Sequence, residues 1–441
     1  MKEKVKRKKE KVPRASRAHS QLIVLITFTF LLFTFSLTSL AHEPITTKVR
    51  FNKEVIRVLQ RNCLACHQPG GIAMSLATYE EARPWAKAIK EEMLEKRMPP
   101  WHAVKGYGEF RNAPSLTQRD IDLVVNWVEG GAPKGDEKDL PAGPLFSNDW
   151  QLGNPDLILR PDGETKIAAD ADEYRTFVIS TRLKQPQWLS ALDLQPGNAS
   201  VVHCATLSLL KADASADIPS PMIQAKSDAP AAASLESLRD ASVLGTWMPG
   251  QRTVAIGDNV AQLLPAGSRV AVRIHYRGSS EAGKDLSSVG LYFAKSPPKK
   301  QLQELAISNP EAVIPAGAEL QHLKLSSTIQ SDSEAIGIRP SVHPLLVSLQ
   351  ATAYRPDGSQ EVLIWARGFS SDWEPTYYFK QPVPLPKGTR VEVIAYFDNS
   401  EENQNVSAAA KPVRWSDLKP APLCALLVAN AGSVADQPGT R

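Results

Sequence analysis

Five consecutive residues, Cys63-Leu64-Ala65-Cys66-His67, constrain what this chain can fold into more than any other stretch. Two thiols separated by two residues can each add to a vinyl group of one porphyrin, and the adjoining imidazole then reaches the iron from one side. Cys63 and Cys66 are therefore candidate thioether residues of a single covalent haem c, and His67 its candidate proximal ligand. A segment of this kind needs only a few short helices, because the porphyrin itself supplies much of the core. The competing use of such a motif is a zinc knuckle, which needs further Cys or His close by to complete four ligands. The remaining cysteines, Cys204 and Cys424, lie far downstream.

The chain begins with the pattern expected of an exported protein. Residues 1–20 carry nine Lys/Arg against two Asp/Glu, and an uncharged apolar run follows from Leu22 to Leu40. Ser39-Leu40-Ala41 places small residues at the two positions a signal peptidase inspects, so residues 1–41 read as a secretory leader. An uncleaved membrane anchor is the alternative, since the run approaches the ~20 residues that span a bilayer. Ser and Thr in its second half favour cleavage. The expected location is periplasmic or otherwise exported, with membrane contact only through an uncleaved leader. The leader also accounts for the charge: the whole chain is +4, residues 1–20 contribute +7, and residues 42–441 are left at −3. The basic pI is thus no argument for nucleic-acid binding.

Periodicity divides the rest. Residues 42–135 read as helical. Asn52 is placed to cap a helix burying Phe51, Val55, Val58 and Leu59. Thr78-Tyr79-Glu80-Glu81 has capping-box spacing, and Pro84 suits the first turn of a helix through Ile89 and Met93. Thr117 caps a third helix, with Ile121, Val124, Val125 and Val128 on one face and Gly130 past its end. Ala132-Pro133-Lys134-Gly135-Asp136 opens a linker over 136–149. Beyond it the period becomes two: Val270, Val272, Ile274 and Tyr276 alternate with Ala271, Arg273, His275 and Arg277, and Val391, Val393, Ala395 and Phe397 form a second such run. The expected fold is multidomain, a small all-α cytochrome c domain followed by two antiparallel β-sandwiches over 150–300 and 301–432, with a tail at 433–441. Residues 210–240, rich in Ala, Ser and Asp, read as an exposed loop.

A second axial ligand decides whether a haem carries electrons. Met98, in Arg97-Met98-Pro99-Pro100-Trp101, is the candidate distal ligand, because a thioether favours ferrous iron and the following prolines stiffen the loop. His102, Met74 and water are the alternatives. With its Cys-X-X-Cys-His, its Met-Pro-Pro and a closing Trp127-to-Ala132 run, residues 50–135 resemble a small c-type cytochrome domain.

Three downstream histidines stand in informative surroundings: Val202-His203-Cys204, Ile274-His275-Tyr276 and Val342-His343-Pro344. Along with them come Asp172-Glu173-Tyr174-Arg175-Thr176-Phe177, Pro196-Gly197, Trp247-Met248-Pro249-Gly250, Leu264-Pro265-Ala266-Gly267, Tyr354-Arg355-Pro356-Asp357-Gly358, Leu385-Pro386-Lys387-Gly388-Thr389 and Asp398-Asn399-Ser400. In that order they resemble the copper type II, ascorbate-dependent monooxygenases, the group of the peptidylglycine α-hydroxylating and dopamine β-monooxygenases. The resemblance implies two jelly-roll sandwiches facing each other across a solvent-filled cleft, each with one copper. It places the first copper on His203, Cys204 and His275, where the family's second histidine is here a cysteine. At the second copper only His343 of the Pro340-to-His343 run remains, with Ser341 and Leu423 where the family has histidine and methionine. A hydroxyl and an isobutyl group do not replace imidazole and thioether, so His343 alone should not hold copper.

For the first site three readings stay open: a metal centre, a Cys204–Cys424 disulfide, or buried thiols. Adjacent strand residues point to opposite faces, so His203 and Cys204 can both ligate only at a bulge or strand end. The leading functional expectation is an exported haem redox protein that exchanges electrons with a periplasmic donor or acceptor protein. In that reading the β-region serves as a docking or substrate-binding scaffold. The alternatives are an active copper-dependent oxidoreductase fed by the haem and acting on a small-molecule substrate, and an interaction protein whose redox role is vestigial.

Overall fold

The computed structural model describes residues 46–143, 150–210, 222–225 (backbone), 241–251, 255–257, 259–278, 281–309, 311–370, 373–403, 411–415 and 422–430. The leader, the tail at 433–441 and most of 210–240 lie outside the described residues. No described helix is long and apolar enough to cross a membrane.

The local readings in the N-terminal segment translate directly into structure. Thr78 and Thr117 each form a capping box, with Glu81 and Asp120 reaching back to the cap backbone, so the first-turn N–H groups of both helices are satisfied locally. The longest helix, Gln118–Glu129, ends at Gly130 and buries Val124, Trp127 and Val128. Asn52 departs from expectation. It caps nothing; it sits inside the turn Phe51–Val55, buried, with Nδ2 3.1 Å from the Asp136 carbonyl. The residues read as linker are thereby tied to the first helix.

The expectation of an all-α domain followed by two separate sandwiches is corrected. Strand makes up 41% of the described residues and helix 13%. The N-terminal segment holds only short helices, Ile56–Asn62, Ala86–Leu94 and Gln118–Glu129, with single turns between. Nor does that segment close on itself. Residues 101–112 leave it as a strap: Ala103 bridges Ala366, Phe110 bridges Phe379, and the Val104 N–H donates to Trp365 O at 2.7 Å. Phe110 lies inside the C-terminal β core, and the Trp101 ring meets Tyr377 edge-on at 4.8 Å. Burying Phe110 and covering Trp101 in the sheets removes apolar surface from water and holds the strap there.

The β-region is likewise fused. One eight-stranded sheet runs through both halves, in the order Leu157–Leu159, Ser288–Phe293, Gln187–Gln195, Val260–Leu264, Lys300–Ile307, Cys424–Asn430, Ser333–Pro340, Tyr377–Leu385. The join is a short parallel pair, Lys300 with Val260 and Gln301 with Ala261. A five-stranded sheet covers the first half, in the order Met222–Ala225, Asp172–Ser180, Arg269–Arg277, Val202–Leu209, Ser242–Trp247. A four-stranded sheet, Gln321–Thr328, Arg390–Phe397, Leu346–Tyr354, Gln360–Arg367, covers the second. Among the described residues the two large apolar cores of this region are lined by Leu189, Leu207, Val272 and Ile274 in one and by Ile338, Leu349, Val393 and Leu426 in the other, with a smaller cluster around Val260, Leu302 and Leu427. Alternation in sequence marks one buried face per strand; it is silent on whether two sheet edges pair.

Candidate functional site

The Cys63–His67 motif follows directly on the helix Ile56–Asn62, with Cys63 N–H donating to Leu59 O at 2.8 Å and His67 N–H to Cys63 O at 3.0 Å. This tight turn leaves both thiols half-buried. Burial pushes the Cys63 thiol up to about 12, with the neighbouring charges of Cys66 and Asp120 adding to it, and burial alone pushes Cys66 to about 11. Both are therefore protonated at neutral pH. The Nδ1 of His67 lies 2.9 Å from the Met74 carbonyl. A carbonyl only accepts, so Nδ1 carries the proton and Nε2 holds the lone pair that can reach a metal.

The motif does not stand alone. Cys66 Sγ donates to the Pro249 carbonyl at 3.2 Å. Gly250, at φ +74°, comes so close that a Cβ there would sit 2.7 Å from Ala65 Cβ and 3.2 Å from Cys66 Sγ. The Cys63–His67 motif thus rests on the turn that follows the strand Ser242–Trp247.

Of the alternatives for a distal ligand, His102 is committed elsewhere. It is buried in the strap, its Nε2 accepts from the Ser370 N–H at 3.2 Å, and its ring lies 5.1 Å from Phe369. Met98 is 43% exposed and Met74 44% exposed, and neither belongs to the apolar core of the helical segment. Met98 lies three residues before Trp101, where the strap enters the β core.

On the five-stranded sheet, His203, Cys204 and His275 converge: one ligand atom from each lies within 4.8 Å of the others. The register explains how neighbours in sequence share a face. Val202 pairs with Tyr276 and Cys204 with His275, so His203 is the extra residue of a bulge between them. His275 is fully buried, its ring stacked on Tyr174 at 4.5 Å, with the Arg273 guanidinium 3.9 Å from the centre of the same tyrosine ring. Asp172 Oδ1 holds His275 Nε2 at 2.6 Å. That contact makes Nδ1 the ligating atom in any metal complex, in the carboxylate–histidine arrangement that orients metal ligands. The Nδ1 atoms of His203 and His275 are both shut off from solvent. Ligands on a tetrahedral metal stand about 3.5 Å apart, so side-chain shifts of about 1 Å would close the shell.

The surroundings of His343 are built differently. Ser341 Oγ donates to the Pro422 carbonyl at 2.6 Å, Val342 N–H donates to Glu374 at 2.8 Å, and Leu345 N–H donates to His343 Nδ1 at 3.2 Å. Leu423 is buried in the core. These groups make a hydrogen-bonded corner, and His203, Cys204 and His275 form the one converging metal-ligand set among the described residues. No disulfide joins Cys204 to Cys424: the latter is buried in the eight-stranded sheet, between Ile307 and Pro340. Sequence reasoning missed Asp172 as a partner of His275, and missed Pro249 and Gly250 as a seat for Cys66. Both are cross-strand or cross-segment contacts that no local spacing encodes.

No protein-family model matches this chain, and no curated protein does. Among solved structures it is similar to that of the infectious bursal disease virus Gx strain at 11% identity and TM-score 0.19, over 62% of this chain and 72% of that one. It is also similar to the N-terminal CBM22-1-CBM22-2 tandem domain from Paenibacillus barcinonensis Xyn10C at 10% identity and TM-score 0.14, over 65% and 96% of the two chains. Scores this low carry no argument about fold or function.

Proposed function

We propose that this chain is an exported c-type haem protein that carries electrons, with its fused β-sheets serving as a docking or substrate-binding scaffold. The observation that carries this reading is the His67–Met74 hydrogen bond beside two half-buried thiols. It fixes the tautomer that leaves Nε2 to the metal, with both sulfurs on the same turn. Cys63 and Cys66 would hold the porphyrin through thioethers, His67 would bind the iron on one side and Met98 on the other. The haem, when bound, supplies a one-electron iron couple. The chain contributes orientation: the Met74 carbonyl steers His67, the Pro249–Gly250 turn seats Cys66, and the strap fixes the backbone three residues beyond Met98.

The test is haem stoichiometry on protein matured in an exporting host. One covalent haem per chain is expected, retained in denaturant and lost in the Cys63→Ser/Cys66→Ser double variant. Met98→Ala should keep the haem and lose the methionine–iron absorption signature. One equivalent of zinc and no haem on the same protein would overturn the reading.

A further inference from the structure

We infer that the outer face of the four-stranded sheet binds an acidic oligosaccharide, a chain of sugar rings carrying carboxylates. This gives the scaffold proposed above a ligand class. It rests on the sheet and the strap alone, so a chain without haem is expected to bind equally.

The register defines the face. Ala395, Leu349 and Ala366 lie opposite one another and point into the C-terminal core. The rows on either side therefore point outwards. One runs Tyr396–Ser348–Arg367, the other Ile394–Gln350–Trp365. Tyr396 is 42% exposed, and the strap lays Tyr107, 38% exposed, edge-on against Trp365 at 5.0 Å. Trp365 Nε1 donates to Ser348 Oγ at 3.0 Å, which holds the indole in place on the face. Neighbouring strands lie about 4.8 Å apart and alternate residues about 7 Å along a strand, so the backbones of Tyr396 and Trp365 stand about 12 Å apart. That span exceeds one sugar ring, so the occupant is a chain.

Charge selects an acid. Arg367 is exposed, with its guanidinium 5.4 Å from the centre of the Trp365 ring. No carboxylate among the described residues pairs with it. Stacking fixes the plane of the guanidinium and leaves its N–H edges to a carboxylate. On the same face Lys324 and Arg390 share one buried carboxylate, Glu392, with Lys324 Nζ at 3.1 Å. Three cations against one carboxylate leave the face net positive. That is too little charge for nucleic acid, which engages proteins through roughly 6–10 phosphate contacts. A centre of amide and hydroxyl groups, Gln350 and Ser348, also differs from the apolar centre of a protein interface. Sugar rings match all three features: C–H faces for the tyrosines, hydroxyls for Gln350 and Ser348, and a carboxylate for Arg367.

The test is calorimetric titration of the full chain with oligogalacturonate and oligomannuronate, beside the galacturonate methyl ester, polyglutamate and single-stranded DNA. At least one uronate should bind, with the same affinity in chains with and without haem, and the ester more weakly because it lacks the charge. Arg367→Gln should weaken binding about tenfold or more, as expected for a lost hydrogen bond between charged groups. Tyr396→Ala and Tyr107→Ala should each weaken it about threefold or more through lost ring contact. Lys166→Gln, which removes the same charge from an exposed position on the strand Thr165–Ile167, should change nothing. Circular dichroism checks that each variant keeps the fold. Failure of both uronates to bind, equal binding of the ester, or tighter binding of polyglutamate or DNA would overturn the site. So would an affinity unchanged in Arg367→Gln or in both tyrosine variants.

Discussion

Replacing Gly250 with alanine probes the seam between the Cys63–His67 motif and the sheets. Two costs arise. Gly250 has φ +74°, a conformation that costs a residue with a Cβ about 1–2 kcal/mol. The added methyl would lie 2.7 Å from Ala65 Cβ and 3.2 Å from Cys66 Sγ. Carbon atoms rest at about 3.5–4.0 Å, so the motif and the turn must part by about 1 Å. Neither clashing neighbour is the end of a flexible side chain, so the motif must move as a unit, and overpacking of this kind costs about 1–3 kcal/mol. Gly267 is the matched control: its φ is +66° and a Cβ there meets nothing within 4 Å. Urea denaturation of both variants separates the two effects, since Gly267→Ala incurs only the conformational cost. The expected difference between them is about 1–3 kcal/mol. In the haem-free chain Cys66, relieved of its contact with Pro249, should react with a thiol reagent several-fold faster in Gly250→Ala than in Gly267→Ala. Equal stabilities together with equal Cys66 reactivities would refute the docking of the motif on this turn.

Three further outcomes follow from the same contacts. Burial holds His102 at about 4, against an ordinary value of 6.5, with the Glu374 charge opposing the shift. The unfolded chain therefore binds the extra proton between pH 6.5 and 4, so stability should be greatest above pH 6.5 and fall as the pH drops through that window, by about 3 kcal/mol. His102→Gln should flatten that slope in urea melts at pH 4.5 to 7. Phe110→Ala, which empties a strap position inside the C-terminal β core, should destabilise by about 3–5 kcal/mol; a loss below ~1 kcal/mol would show that the strap is not packed there. Thr117→Ala removes a capping box and should cost about 1 kcal/mol, read as a lower thermal midpoint with haem content unchanged.

The parts of the fold that depend on neighbours in sequence were legible. Thr78 and Thr117 were readable as caps because a capping box is complete within four residues. The runs Val270–Tyr276 and Val391–Phe397 were readable as strands because period two follows from the pleat alone. Asn52 misled because its type suits a cap, while its actual partners, the carbonyls of Gly135 and Asp136, lie more than eighty residues away. The places of Trp101 and Phe110 were not legible: their apolar character fits a helical core as well as a sheet, and only the surface each one covers decides between them.

The sequence by itself determined the chemistry on offer: two thiols and an imidazole in one turn, and the residue types at positions 203, 204, 275 and 343. It even stated the condition for the first site, that His203 and Cys204 can share a face only at a bulge. Whether the bulge exists was decided by tertiary structure, because strand register is an agreement between two chain segments, set by the burial of both. The same holds for the parallel pair that fuses the sheets and for the seat of Cys66 on Pro249. Local pattern fixes what each segment presents, and only the packing of distant segments, through the apolar area they bury together, fixes what it is presented to.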